Sequence, residues 1–152
     1  MSARQGDGGL KPSLVRRTRD RLLTRLVRRG KGPEFMWLLT VTGRRTGQAH
    51  TTPVVPVRHD DAVWLVSPYG DVNWVRNARA AGEVELSRGD HHIRYRAREL
   101  QSGEAVPVIR EYLSMPSERF IRKDFAVTAA GTDDAIAGEA PRHPVFKLVP
   151  VP

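Results

Sequence analysis

Between Ser13 and Arg29, apolar residues recur at helical spacing. Leu14, Val15, Leu22, Leu23, Leu26 and Val27 share one side, with Thr18 filling the gap. The opposite side carries Arg16, Arg17, Arg19, Arg21, Arg25, Arg28 and Arg29. Ser13 is a candidate cap and Gly30 a candidate stop, so this stretch predicts one amphipathic helix. From Phe35 onward the period becomes that of strands. Phe35–Val41 reads as a strand buried on both faces, followed by a second from Thr51 to Arg58 and a third over Ala62–Ser67. Short loops between the three predict an antiparallel meander. Pro53 and Pro56 interrupt the second strand and require a bulge or a sheet edge, because proline has no N–H to donate.

Ser67-Pro68-Tyr69-Gly70 then breaks the sheet. Asp71 can cap a short helix ending at Gly82, with Trp74, Ala78 and Ala81 on one side. Glu83–Ser87 returns to strand and Arg88-Gly89-Asp90 makes a tight turn. Beyond it Ile93, Tyr95 and Ala97 alternate with Arg94, Arg96 and Arg98, which predicts a solvated basic face paired to carboxylates. Glu104–Ser114 has helical spacing with Val106, Ile109 and Leu113 inward. Shorter helices are expected near Glu118–Lys123 and Asp133–Ala137, and His143–Val149 supplies a last strand. The sum is a mainly β, α+β domain over residues 32–152, preceded by a basic extension over residues 1–31.

Charge sharpens that division. The net charge is +8. Residues 11–31 hold nine Lys or Arg and one acid, whereas residues 32–152 hold fifteen of each sign. The helix pattern fits either packing on the domain or contact with an anionic membrane surface through residues 13–29. A nucleic-acid partner is not expected, since no aromatic platform accompanies the charge. No apolar run is long enough to span a bilayer and Met1–Leu10 lacks a signal-peptide core, so the expected location is cytoplasmic, with peripheral contact at the inner face of the membrane as the helix's second reading.

The turn between the first two strands is the most suggestive chemistry. Gly43 and Gly47 flank Arg44, Arg45 and Thr46. Glycines can supply positive φ, and guanidinium, hydroxyl and exposed backbone N–H groups bind anions. A merely solvated basic turn has the same composition. Other signatures are absent. There is no cysteine, and no Gly-x-Ser-x-Gly elbow, Walker loop or Rossmann fingerprint. His50, His59, His91, His92 and His143 have no chelating spacing, and the adjacent His91 and His92 must point to opposite faces of a strand, so no metal site is expected. An anion-binding turn on a β frame short of acid–base groups suits a protein whose redox cofactor carries the chemistry.

Leu38-Leu39-Thr40-Val41-Thr42-Gly43-Arg44-Arg45-Thr46-Gly47-Gln48, then Thr52-Pro53, Trp74-Val75-Arg76-Asn77 and Arg142-His143-Pro144-Val145-Phe146-Lys147-Leu148, resembles the deazaflavin (F420)-dependent nitroreductase and F420H(2)-dependent quinone reductase family. The resemblance spans roughly residues 32–102 and 142–149. It implies a split β-barrel of the FMN-binding type, with antiparallel strands and flanking helices, to which the periodicity adds the N-terminal amphipathic helix. It also implies hydride transfer from reduced F420 to an electron-poor acceptor such as a quinone or a nitro compound. By this resemblance Arg44, Arg45 and Thr46 would hold the cofactor phosphate. Gly47, Gln48 and Ala49 would continue that wall, and Leu39 and Thr40 would flank it. His50 stands where many relatives have an arginine for the acidic tail. Thr52, Pro53 and Val54 would border the deazaflavin ring, with Val66, Ser67 and Pro68 opposite. Trp74 and Asn77 match the family's helix, and Tyr69 is a candidate proton donor. Two alternatives are an FMN-dependent split-barrel oxidoreductase and a non-catalytic protein that binds F420 or a lipophilic ligand. Oligomeric state is not specified by any of these features.

Overall fold

The computed structural model describes the backbone of residues 12–152 and side chains from residue 18 onward. Expectations for residues 1–11, and for the side chains of Leu14, Val15, Arg16 and Arg17, lie outside the described residues. Helix α1 covers Pro12–Arg28, and Ser13 sits inside it rather than at its cap. Seven strands follow: β1 (Trp37–Thr42), β2 (Ala49–Val54), β3 (Val57–His59), β4 (Ala62–Val66), β5 (Glu83–Arg88), β6 (His91–Glu99) and β7 (Val145–Pro150). Helix α2 (Asn73–Ala81) lies between β4 and β5. Helices α3 (Ser102–Leu113) and α4 (Asp133–Glu139) lie between β6 and β7, separated by short 3-10 turns at Pro116–Phe120 and Arg122–Asp124.

The meander is not formed. All strands pair antiparallel in one sheet, in the order β2-β1-β5-β6-β7-β4-β3. The run expected as one second strand splits at Val55-Pro56 into β2 and β3, which occupy opposite ends of that order. Yet three Cα steps separate Val54 from Val57, a reach of at most about 11 Å. The sheet must therefore curl until its two edges approach each other. Pro56 offers no N–H to continue the pairing, so a seam stays between them. The result is a split barrel.

Two cores lie on the two faces of this sheet. Alternate residues of a strand point to opposite faces. On β4, Trp64 and Val66 join one core while Leu65 joins the other; on β7, Val145 goes with the first, and Phe146 and Leu148 with the second. The first is covered by α3 and α4 through residues such as Ile109, Leu113 and Ile136, and the second by α2 through Val75 and Ala78. Val106, Ile109 and Leu113 all face inward, as their spacing predicts.

Local corrections are concentrated at helix ends. Asp71 does not cap α2; Val72 occupies that position without a side-chain bond, and Asp71 instead pairs with Arg76 and Arg79. Gly82 does end the helix, at φ 70°, with its N–H donated to Ala78 O at 2.9 Å. The buried side of α2 is Val75, Asn77 and Ala78; Ala81 is exposed and Trp74 half-buried. Helix α1 packs on the sheet through Val27, which is fully buried. The Arg88 guanidinium secures its exit by donating to the carbonyls of Gly30, Gly32, Pro33 and Met36. Gly30 and Gly89 touch backbone to backbone there; a Cβ at Gly89 would lie 3.3 Å from Gly30 Cα.

Candidate active site

The pairing of Thr42 with Ala49 leaves Gly43–Gln48 as the loop joining β1 to β2. Gly43 N–H donates to Gln48 O at 2.7 Å and Gly47 N–H to Gly43 O at 2.9 Å, which closes it. Gly47 has the expected positive φ of 71°, but Gly43 does not. Gly43 is closely surrounded instead: a Cβ would lie 2.8 Å from His50 Nε2, which would have to move, and 3.0 Å from the backbone Gln48 O. Thr46 Oγ1 accepts from Gln48 N–H at 3.3 Å.

Asn77 comes up beneath this loop from α2 and is 4% exposed. Its Oδ1 accepts from the backbone N–H of Arg44 at 3.1 Å and from the Arg44 guanidinium at 2.7 Å. One buried amide oxygen thus orients both main chain and side chain of Arg44. An amide is neutral, so the cation is held without being cancelled. Among the described residues, no carboxylate forms an ion pair with Arg44 or Arg45.

The loop opens onto a cavity of about 700 Å³. Arg44, Arg45, Thr46 and His50 are among the residues that line it. Thr52, Pro53 and Val54 contribute the seam side, Val66, Pro68 and Tyr69 come from the end of β4 and the loop after it, and Trp74 and Asn77 come from α2. The remaining residues implied by the resemblance lie elsewhere. Leu39 is fully buried in the core. The Thr40 hydroxyl shares a 2.9 Å hydrogen bond with that of Thr51. Gly47, Gln48 and Ala49 are exposed and do not line the cavity, and Ser67 is fully buried with its hydroxyl donated to Gly70 O.

The loop carrying Pro68 and Tyr69 is anchored from the far end of the chain. Ser67 N–H donates to Pro144 O at 2.9 Å. The buried His143 places Nδ1 3.1 Å from Ser67 O and Nε2 3.2 Å from a carboxylate oxygen of the buried Glu139, with its ring stacked on Phe125 at 3.8 Å. This histidine serves the loop's position. His92, at the start of β6, meets Glu85 at 3.0 Å.

Several lining residues carry no local signal. Arg19, Asp20 and Leu23 reach the cavity from α1, and Phe35 and Met36 from the segment after it. Tyr112, Ser117, Phe120 and Ile121 close it on the α3 side. Burial pushes the Tyr112 phenol well above the ordinary tyrosine range, with Tyr69 and Asp124 adding to the effect. Only chain closure brings these groups together, so neither period nor turn chemistry could have marked them.

Fold and site define a split-barrel protein with two arginines of the β1–β2 turn lining a cavity whose other walls are mostly apolar. The same architecture occurs in known structures. An F420-H2 dependent reductase, FDR-A, superposes with a TM-score of 0.53 at 21% identity, over 76% of this chain and 94% of that one. A domain-swapped dimer superposes at 0.55 and 21% identity, over 90% and 98%. An FAD-binding protein from Mesorhizobium loti superposes at 0.50 and 14% identity, over 85% and 87%. At such identities these likenesses speak for the fold. No match is found among curated proteins. The family model for F420H(2)-dependent quinone reductases matches residues 14–137, most of the chain. The protein belongs to that family and is an F420-dependent oxidoreductase.

Proposed function

We propose that Arg44, Arg45 and Thr46 hold the phosphate of F420 and that the acceptor is a quinone-like ring seated in the apolar remainder of the cavity. The observation that carries this reading is the pair of guanidiniums without carboxylate partners lining a cavity with a mostly apolar wall. Its volume falls within the range of small-molecule sites, about 300–1,000 Å³. When bound, reduced F420 supplies the hydride. The chain's own part is positional: Asn77 fixes Arg44, Pro53 and Val54 offer a flat apolar wall, and the His143 anchor fixes Pro68 and Tyr69. Tyr69 is 41% exposed, so a proton can reach the reduced acceptor through its hydroxyl or from solvent. His50 lines the same cavity as the arginines and would meet the anionic tail.

The acceptor is tested by steady-state turnover of F420H2 with a naphthoquinone and, separately, a nitroaromatic compound. Turnover of the quinone with a higher kcat/KM is expected; reduction of the nitro compound alone would overturn the assignment. A second reading concerns location. No described helix is long and apolar enough to cross a membrane. Exposed Arg21, Arg25 and Arg28 on α1 and Arg29 just after it, with Leu22 at 61% and Phe120 at 55% exposure, support peripheral contact with an anionic bilayer that would deliver a lipophilic quinone. Arg21→Glu combined with Arg25→Glu spares the buried Val27 and should abolish sedimentation with anionic liposomes; unchanged sedimentation would exclude the contact.

A further inference from the structure

The loop that brings Pro68 and Tyr69 to the cavity is held by a buried titratable pair that hydride transfer does not use. Ser67, at the root of this loop, has each of its polar groups engaged. Its N–H donates to Pro144 O, its hydroxyl donates to Gly70 O, and its carbonyl lies 3.1 Å from His143 Nδ1. Gly70 O also accepts from Val72 N–H at 2.9 Å, and Val72 O accepts from Val75 and Arg76 N–H where α2 begins. Pro68, Tyr69 and Val72 all line the cavity. The Ser67 carbonyl is therefore a point at which the far end of the chain holds part of the cavity wall.

A count of protons defines the state of that anchor. A carbonyl oxygen only accepts, so the contact to Ser67 O needs a hydrogen on Nδ1. The other ring nitrogen, Nε2, lies 3.2 Å from a Glu139 oxygen, and an ionised carboxylate also only accepts. A neutral imidazole has one N–H and cannot serve both. The two contacts coexist only when one further proton lies between Nε2 and Glu139, on the ring or on the carboxyl. Without it, one N–H has two acceptors to choose between. The carboxylate wins, because a charged acceptor makes roughly twice the bond of a neutral one. The ring then takes the Nε2–H tautomer, and Ser67 O loses its donor. The side chains are 5% and 6% exposed, which keeps water from replacing either partner.

The surroundings bring little other charge to the pair. Arg142, just after α4, sets its guanidinium 3.8 Å from the second Glu139 oxygen and is itself 73% exposed. Phe125 contributes an uncharged ring stacked on the imidazole, and the residue after β4 presents a carbonyl. Asp124, next to Phe125 in sequence, carries an acid with one buried oxygen that has no partner. We propose that Glu139 is a positioning residue for the cofactor site. Through the proton it shares with His143 it keeps Nδ1–H on Ser67 O, and so holds the Pro68–Tyr69 loop in place against bound F420. Cofactor affinity is thereby tied to pH, full while the pair keeps its shared proton and reduced once alkaline solution removes it. This rests on the reading that F420 occupies the cavity.

The first measurement uses the cofactor-free full chain and needs no variant. His143 is the one buried histidine of five, and long-range proton–nitrogen correlation spectra show which of its nitrogens carries hydrogen. Raising the pH from about 6 to about 9 should take Nδ1 from protonated to bare and leave the Nε2–H tautomer. Glu139→Gln supplies a neutral amide of the same shape, whose oxygen faces Arg142 and whose NH2 donates to Nε2, so Nδ1 should keep its hydrogen throughout. Over the same range, F420 affinity followed by fluorescence should fall about fivefold to tenfold more in wild type than in Glu139→Gln, the worth of one neutral hydrogen bond. His50, Asp124 and F420 itself are common to both proteins, so the difference isolates the pair. A bare Nδ1 at the acid end, or a tautomer that never changes, would overturn the inference even if Glu139→Gln failed to fold. Parallel affinity profiles in the two proteins would sink it too. A wild type that shows the tautomer change but binds no F420 at any pH refutes the cofactor reading of the cavity, and with it the link from pair to affinity.

Discussion

On the outer surface of α2, β5 and β6, Arg76 and Arg79 both meet Asp71, Arg79 also meets Glu99, Arg94 meets Glu83 and Arg98 reaches Glu104. At the β1–β2 turn, Arg44 meets an amide oxygen and Arg45 meets no carboxylate. The two regions have similar composition and opposite electrostatics. A guanidinium beside a carboxylate has its field largely cancelled, and an exposed pair of this kind contributes little stability. A guanidinium held by a neutral amide keeps its full charge in a fixed direction. The first arrangement neutralises its charge, and the second leaves cationic charge facing the cavity, where the proposed phosphate would meet it.

The comparison breaks most decisively at the turn itself. Charge-assisted contacts are worth roughly 1.5–3 kcal/mol each, so Arg44→Ala combined with Arg45→Ala should weaken F420 binding by at least about a hundredfold. Fluorescence titration measures this, and an unaltered Kd would remove the turn from the cofactor site. Asn77→Asp sharpens the contrast further. The carboxylate keeps the acceptor atom where Arg44 needs it but converts the turn into the paired kind. Affinity should fall roughly tenfold with little change in Tm, since the contact to Arg44 is retained and only its net charge is lost. If Asn77→Asp binds F420 as well as wild type does, the neutrality of that amide is irrelevant.

Ionic strength separates the regions with a smaller effect. Raising salt from 0.1 to 1 M shortens the Debye length from about 10 to about 3 Å, so F420 affinity should decline while Tm barely moves. In the paired region, Arg94→Ala should alter stability by no more than about 1 kcal/mol and leave F420 binding untouched. Chemical denaturation and the same titration report on both. Least of all is the effect at Asp71. Burial raises its pKa, but hydrogen bonds from Arg76 and Arg79 outweigh this and lower it below the ordinary carboxylate range. Its contribution is therefore present above the unfolded-state value and lost as pH falls through the folded one. The Tm difference between wild type and Asp71→Asn should shrink on acidification; a difference that persists at low pH would rule out the ion pairs as its source.

How much of this was legible in one dimension depends on the range of each interaction. Gly82 as a helix stop, the helical spacing of Val106, Ile109 and Leu113, and the alternation of Tyr95 and Ala97 with exposed arginines along β6 are local and have their expected places, whereas Ile93 near the start of β6 is exposed. The failures are also local in appearance but long-range in cause. Asp71 is well placed to cap α2 by spacing alone, yet two arginines on that same helix offer it a charged partner. Thr51 to Arg58 reads as one strand interrupted at its prolines, and those prolines mark a break or an edge without revealing that the two halves belong to opposite edges of a curled sheet.

The candidate site divides along the same line. By itself the sequence determined the hairpin, the glycine-bounded loop and the presence there of two arginines and a threonine, because strand period and turn chemistry act over a few residues. Tertiary structure alone decided that Asn77, 33 residues away, takes hold of Arg44, that Gly43 lies close against His50 and Gln48 O without adopting positive φ, and that Tyr112 and Ser117 line the same cavity as the arginines. Those contacts exist only once the seam between β2 and β3 closes the barrel, and closure is a property of the whole chain.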